Sequence, residues 1–209
     1  MSGPPPVPPL KTPVWEVKRT EFDSRDVALA AVFAALYAVL VIGQGLSAAA
    51  TVQLRFADSL IPLSALFGLP VMVGVSLGCF VSNAFTSLTM ANGVYDVVLG
   101  PIANLIAATV IYVLRNRRLI GCVVGSVVIG LIVGSYVWMI FGAPSSIFSF
   151  ELPSSWPVWV ASVASITISS LVAITIVGYI LLTILSRPSI VGSLKSRGLK
   201  VTTNSKKTT

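Results

Sequence analysis

Five stretches of this chain, residues 27–46, 69–88, 96–114, 119–141 and 158–186, stay apolar for about the twenty residues a helix needs to cross a bilayer. That feature sets the solvent. Charged residues make up 10% of the 209 and hydrophobic ones 55%, with a mean hydropathy of +0.93. A soluble domain carries about a quarter charged residues. The first run could be a signal peptide with residues 47–50 as its cleavage site. Its apolar core exceeds the roughly 7–15 residues of a signal, and its leader carries acids as well as bases. It therefore reads as a retained helix.

A sixth apolar run, residues 58–67, is too short to cross as a straight α-helix. It ends at Gly68, and Pro70 is placed to start the next helix. Pro101 lacks an N–H and is expected to kink the run at 96–114. Residues 1–26 are polar or Pro-rich and read as a flexible tail, 27–186 as a six-helix membrane domain, and 187–209 as a basic tail. With the N-terminus in the cytoplasm, both tails, the 68–70 turn and the RNRR cluster at 115–118 share that side. Those segments hold every Lys and Arg of the 14 except Arg55. The positive-inside rule then favours an even number of crossings, and it accounts for the net charge of +7 without nucleic acid. The expected fold is an all-α integral membrane protein with six transmembrane helices, a short second helix and both termini cytoplasmic, in the plasma membrane.

Ionisable groups are expensive in such a solvent, so each is a candidate. Arg55 and Asp58 sit three apart in TVQLRFADSL. Either they pair with each other, with Asp58 capping the short helix, or they hold a polar ligand in an outward-facing pocket. Asp96 opens the run at 96–114 and could simply cap it. Asn83, in GCFVSNAF, either makes an interhelical hydrogen bond or meets the ligand. Phe56, Tyr95, Trp156 and Trp159 lie at the same depth, where an interfacial belt and a stacking partner are the two readings. Ala30, Ala34 and Ala38, with Ala31 and Ala35 beside them, flatten one face of the first helix for close packing or for docking. Gly121, Gly125, Gly130 and Gly134 read as internal packing, and Cys79 and Cys122 as small buried hydrophobes. The chain has no His and no GxxxxGK[ST] loop, so neither a His-based catalytic site nor a nucleotide site of that type is available. No metal, cofactor or enzymatic activity is expected.

The order VQLRFADSL, a glycine-terminated short helix, GCFVSNAF and GVYDVVLGPIANLIAA resembles the QueT family over about residues 30–114. These are the substrate-binding S components of energy-coupling factor (ECF) transporters for queuosine precursors. The family's acid three residues after the Arg is more often Glu, so Asp58 is a shorter version. The resemblance implies a six-helix subunit with an outward cavity, a separate transmembrane coupling subunit and two cytoplasmic ATPases as partners. It assigns Ala30, Ala34 and Ala38 to docking, and Arg55, Asp58, Asn83 and Asp96 to the substrate. Tyr95 or Phe56 would stack on a flat base, and Asp58 or Asp96 would accept from the donors of a 7-deazaguanine. On this reading Asp96→Asn abolishes uptake and leaves the protein folded. The alternatives are an S component for another vitamin, or a self-contained permease.

Overall fold

A computed structural model describes residues 22–44, 55–88, 90–142, 144, 146–147, 150–153 and 155–201. The Pro-rich stretch before residue 22, the candidate cleavage site at 47–50 and the end of the basic tail lie outside the described residues. Five helices are long and apolar enough to cross a membrane: α1 (Ser24–Gln44), α3 (Leu69–Thr86), α4 (Gly93–Val113), α5 (Arg118–Tyr136) and α6 (Val158–Leu185). The shorter apolar helix α2 (Phe56–Phe67) lies between α1 and α3, and α7 (Pro188–Ser196) follows α6. Large apolar side chains are exposed along every long helix, among them Val39, Phe85, Ile102, Leu131 and Ile180. A helix apolar on its outward face as well as its inward one suits a lipid surround.

The shortness of α2 has a geometric answer. Residues Phe56–Leu63 form a 3₁₀ helix, and only Ser64–Phe67 is α-helical. Eight residues rising about 2.0 Å each and four rising about 1.5 Å give about 22 Å, close to the roughly 24 Å from Asp96 to Tyr112 on α4. The two ends of α2 meet those two positions. Arg55, at its start, pairs with Asp96, and a Cβ on Gly68, at its end, would lie 3.3 Å from the Tyr112 ring. Gly68 leaves the helix at φ +68, which glycine adopts without steric penalty, and Pro70 sits in the first turn of α3. Ser64 Oγ donates to Ala108 O at 2.9 Å and ties α2 to the side of α4.

Small residues decide the tightest seams. A Cβ on Gly74 would stand 2.6 Å from Ala30 O, and one on Gly78 would stand 2.6 Å from Ala34 O, so α1 and α3 approach backbone to backbone. On α5, Gly130 and Gly134 make the same kind of contact with Thr167 and Val163 of α6. The sequence expectation of internal packing for those two glycines agrees with this. Two other boundaries differ from expectation. Helix α5 ends at Tyr136, and Trp138–Phe141 is a separate turn. The last span is one helix in length, but it turns π-helical over Leu171–Gly178. Helix α4 runs through Pro101 without interruption. The described part of the 142–157 loop contains a two-residue antiparallel ladder, Ser146 opposite Glu151.

The basic segments gather at one end. Lys200 Nζ lies 2.6 Å from Asp26 Oδ2, Arg25 donates to Gly198 O at 3.2 Å, and Arg118 donates to Ser186 Oγ at 2.7 Å. The start of α1, the 115–118 cluster and the chain beyond α6 therefore share one end of the bundle. Arg55 and Asp96 occupy the other.

Candidate functional site

Helix α4 begins just after Asn92, whose left-handed φ of 61 turns the chain back from α3. That turn brings Asp96 beside the end of α3. Asp96 is completely buried, and its carboxylate is fully engaged. Oδ2 accepts from Arg55 Nη2 at 3.0 Å and from Ser87 Oγ at 2.8 Å, while Oδ1 accepts from the Tyr136 hydroxyl at 2.9 Å. Elements α2, α3, α4 and α5 thus converge on one carboxylate. Asn83 adds a further tie: its amide donates to the Asp96 backbone carbonyl at 2.8 Å and to Cys79 Sγ at 3.4 Å. Its Oδ1 is buried without a partner among the described residues.

These contacts correct the local readings of the sequence. Arg55 pairs with Asp96 across the bundle rather than with Asp58 three residues on. Asp58 makes no capping bond; its Oδ1 accepts from the Tyr37 hydroxyl of α1 at 2.6 Å. Neither Asp96 nor any other side chain caps α4.

A pocket of about 20 Å³ opens beside this network, with room for roughly one or two waters. Its polar wall is Arg55, Asp58, Asn104, Ser169 and Ser170, and its apolar wall is Ile129, Val133 and Ile166. Asn104 Nδ2 and Ser169 Oγ are buried with no hydrogen-bond partner among the described residues. An unmet donor inside a lipid-surrounded bundle is destabilising unless something fills the space beside it. The π-helical turn begins immediately after Ser170, and such turns are frequent at functional sites.

Of the residues singled out from sequence, Arg55 and Asp58 line the pocket. Asp96 and Asn83 stand behind it as braces. Phe56 and Tyr95 are 46% and 47% exposed and do not line it. The reason for Tyr95 is helical geometry: neighbours on a helix point about 100° apart, so burying Asp96 turns Tyr95 outward. Ala30 is buried and Ala34 and Ala38 are half-buried, and the Ala30 and Ala34 carbonyls meet Gly74 and Gly78 in the α1–α3 seam. Reasoning from sequence missed Tyr37, Ser87, Asn104, Tyr136, Ser169 and Ser170. A signal existed for the serines: Ser162, Ser165 and Ser169 recur at helical spacing in an apolar run, and all three are buried.

A family model described as QueT transporter matches residues 27–187. The chain belongs to the QueT transporter family. The match takes in α1 from Val27, the other four long helices, α2 and every pocket residue, and so reaches well past residue 114, where the motif resemblance ends. No curated protein and no solved structure matches the chain. As a QueT-family protein with several membrane-length apolar helices, it is a membrane transport protein.

Proposed function

We propose that this QueT-family chain is the substrate-binding S component of an ECF importer in the plasma membrane, and that it captures a 7-deazaguanine-type queuosine precursor from outside the cell. The carrying observation is the pocket between α2, α4, α5 and α6, where Arg55 and Asp58 share the lining with Asn104 Nδ2 and Ser169 Oγ, both without a hydrogen-bond partner among the described residues. A deazaguanine presents adjacent N–H donors and one carbonyl acceptor, which a carboxylate and an amide or guanidinium can meet. The formal charges of Arg55, Asp58 and Asp96 sum to −1, which also favours a donor-rich ligand edge.

Six crossings with both ends in the cytoplasm fit the shared end of the basic segments and the reach of α2 along α4. The pocket is too small for a base as it stands, so capture requires its walls to part. The contact between α2 and α6 is the one made by irregular helix on both sides, with Gly178 against Pro62 and Ser59. A coupling subunit with two ATPases would supply the energy. If docking uses the outer face of α1, its exposed alanines are Ala28, Ala31 and Ala35.

The test is thermal stabilisation of the detergent-solubilised chain by a panel of 7-deazaguanines and vitamins, since a ligand that binds only the folded state raises its melting temperature. Stabilisation by deazaguanines alone is the expected result. A shift only with another vitamin would reassign the substrate. Uptake by the purified chain in liposomes without ATPases would favour a self-contained permease.

A further inference from the structure

Asn104 is on α4, two turns inward from Asp96, and is 3% exposed; Ser169 is on α6 and 2% exposed. Both line the same pocket as Asp58, and Asn104 Nδ2 and Ser169 Oγ have no hydrogen-bond partner among the described residues. In the same lining, Asp58 has one side-chain donor among the described residues, Tyr37, which bonds Oδ1. Arg55 is held by Asp96 through Nη2. The pocket therefore sets an uncommitted amide donor and hydroxyl near a carboxylate with lone pairs to spare.

We infer that Asn104, supported by Ser169, reads the ring carbonyl oxygen of the ligand while Asp58 accepts from the two N–H groups beside it. This assignment rests on the deazaguanine reading and deepens it. A donor next to an acceptor-only carboxylate matches the edge of a guanine-type lactam, acceptor then donor then donor. It mismatches an adenine-type edge, where the exocyclic amine would meet the amide donor. Selectivity at the ring oxygen then comes from Asn104, because a ligand without the carbonyl leaves its buried N–H unmet.

The experiment measures binding of 7-deazaguanine and of 2-amino-7-deazapurine, which lacks the ring oxygen and with it the lactam N1–H, to the full solubilised chain and to Asn104→Ala and Ser169→Ala. Wild type should prefer 7-deazaguanine by at least about tenfold. Asn104→Ala should shrink that preference about fivefold without erasing it, since the analogue also leaves Asp58 without the N1–H, and without ligand it should melt at or above the wild-type temperature, because it removes an unmet buried donor. A purely structural asparagine would instead lower the unliganded melting temperature. Ser169→Ala should weaken 7-deazaguanine more than the analogue. Equal binding of both compounds by wild type overturns the assignment even if the variants do not fold, and so does full discrimination retained in Asn104→Ala. In that case the two polar groups serve trapped water. Wild type that binds no 7-deazaguanine at all is a different failure: it removes the deazaguanine reading itself, and this assignment with it.

Discussion

Two aspartates in the same bundle have opposite situations. Asp96 is wholly buried and satisfied by Arg55, Ser87 and Tyr136, whereas Asp58 is held by Tyr37 and lines the pocket. Removing one partner of a buried ion pair costs about 3–5 kcal/mol. Arg55 keeps 14% side-chain exposure, which places Asp96→Asn at about 3 kcal/mol, the lower end of that range. The variant should therefore lose melting temperature as well as ligand, in place of the folded but inactive protein expected from sequence. Asp58→Asn should melt within about 1 kcal/mol of wild type yet lose deazaguanine-induced stabilisation. Paired melting curves with and without ligand separate the two, and a destabilised Asp58→Asn beside an unaffected Asp96→Asn would reverse their roles. At this scale the sequence exposed the charged residues, because charge is rare in an apolar chain. It did not expose their partners: Arg55 and Asp96 lie 41 positions apart, while Asp58 lies three away and looked the natural mate.

Between helices, space is the controlling variable. Gly78 lets the backbone of α3 approach Ala34 O of α1, and Gly178 lets α6 meet Ser59 O of α2. Backbone cannot swing aside as a flexible side chain can, so Gly78→Val should destabilise the protein by about 1–3 kcal/mol in a thermal melt, with pocket residues untouched. The exposed side of α1 behaves differently. Ala35→Trp should leave melting and ligand stabilisation unchanged in the isolated chain, while ATP-driven uptake by the reconstituted complex falls if that face meets the coupling subunit. Unimpaired uptake would remove α1's outer face from docking. Four-residue alanine spacing signalled a close approach correctly. It carried no information about whether the approaching surface belonged to this chain, because a helix inside the bundle and one on a partner demand the same small residues.

For the whole molecule, sidedness is the testable property. Lys200 beside Asp26 and Arg118 beside Ser186 put the basic segments at one end. Single cysteines at Asn116 and Ser193 should be labelled by an impermeant thiol reagent only from the cytoplasmic face, and one at Ser155 only from outside. Cys79 and Cys122 are free but buried and should contribute little background. Labelling of the 116 and 193 positions from opposite faces would break the even count of crossings.

The sequence by itself determined the solvent, the helices and the end at which positive charge collects. Those follow from local quantities, apolar length against bilayer thickness and the placement of Lys and Arg, which need no knowledge of neighbours. Tertiary structure alone decided that α2 reaches along α4 by winding as a 3₁₀ helix, that Asp96 braces Arg55, and that Asn104 and Ser169 are left unmet beside Asp58. Each of these depends on which side chains from distant segments share a space from which water is excluded. One-dimensional spacing constrains that only within a single helix.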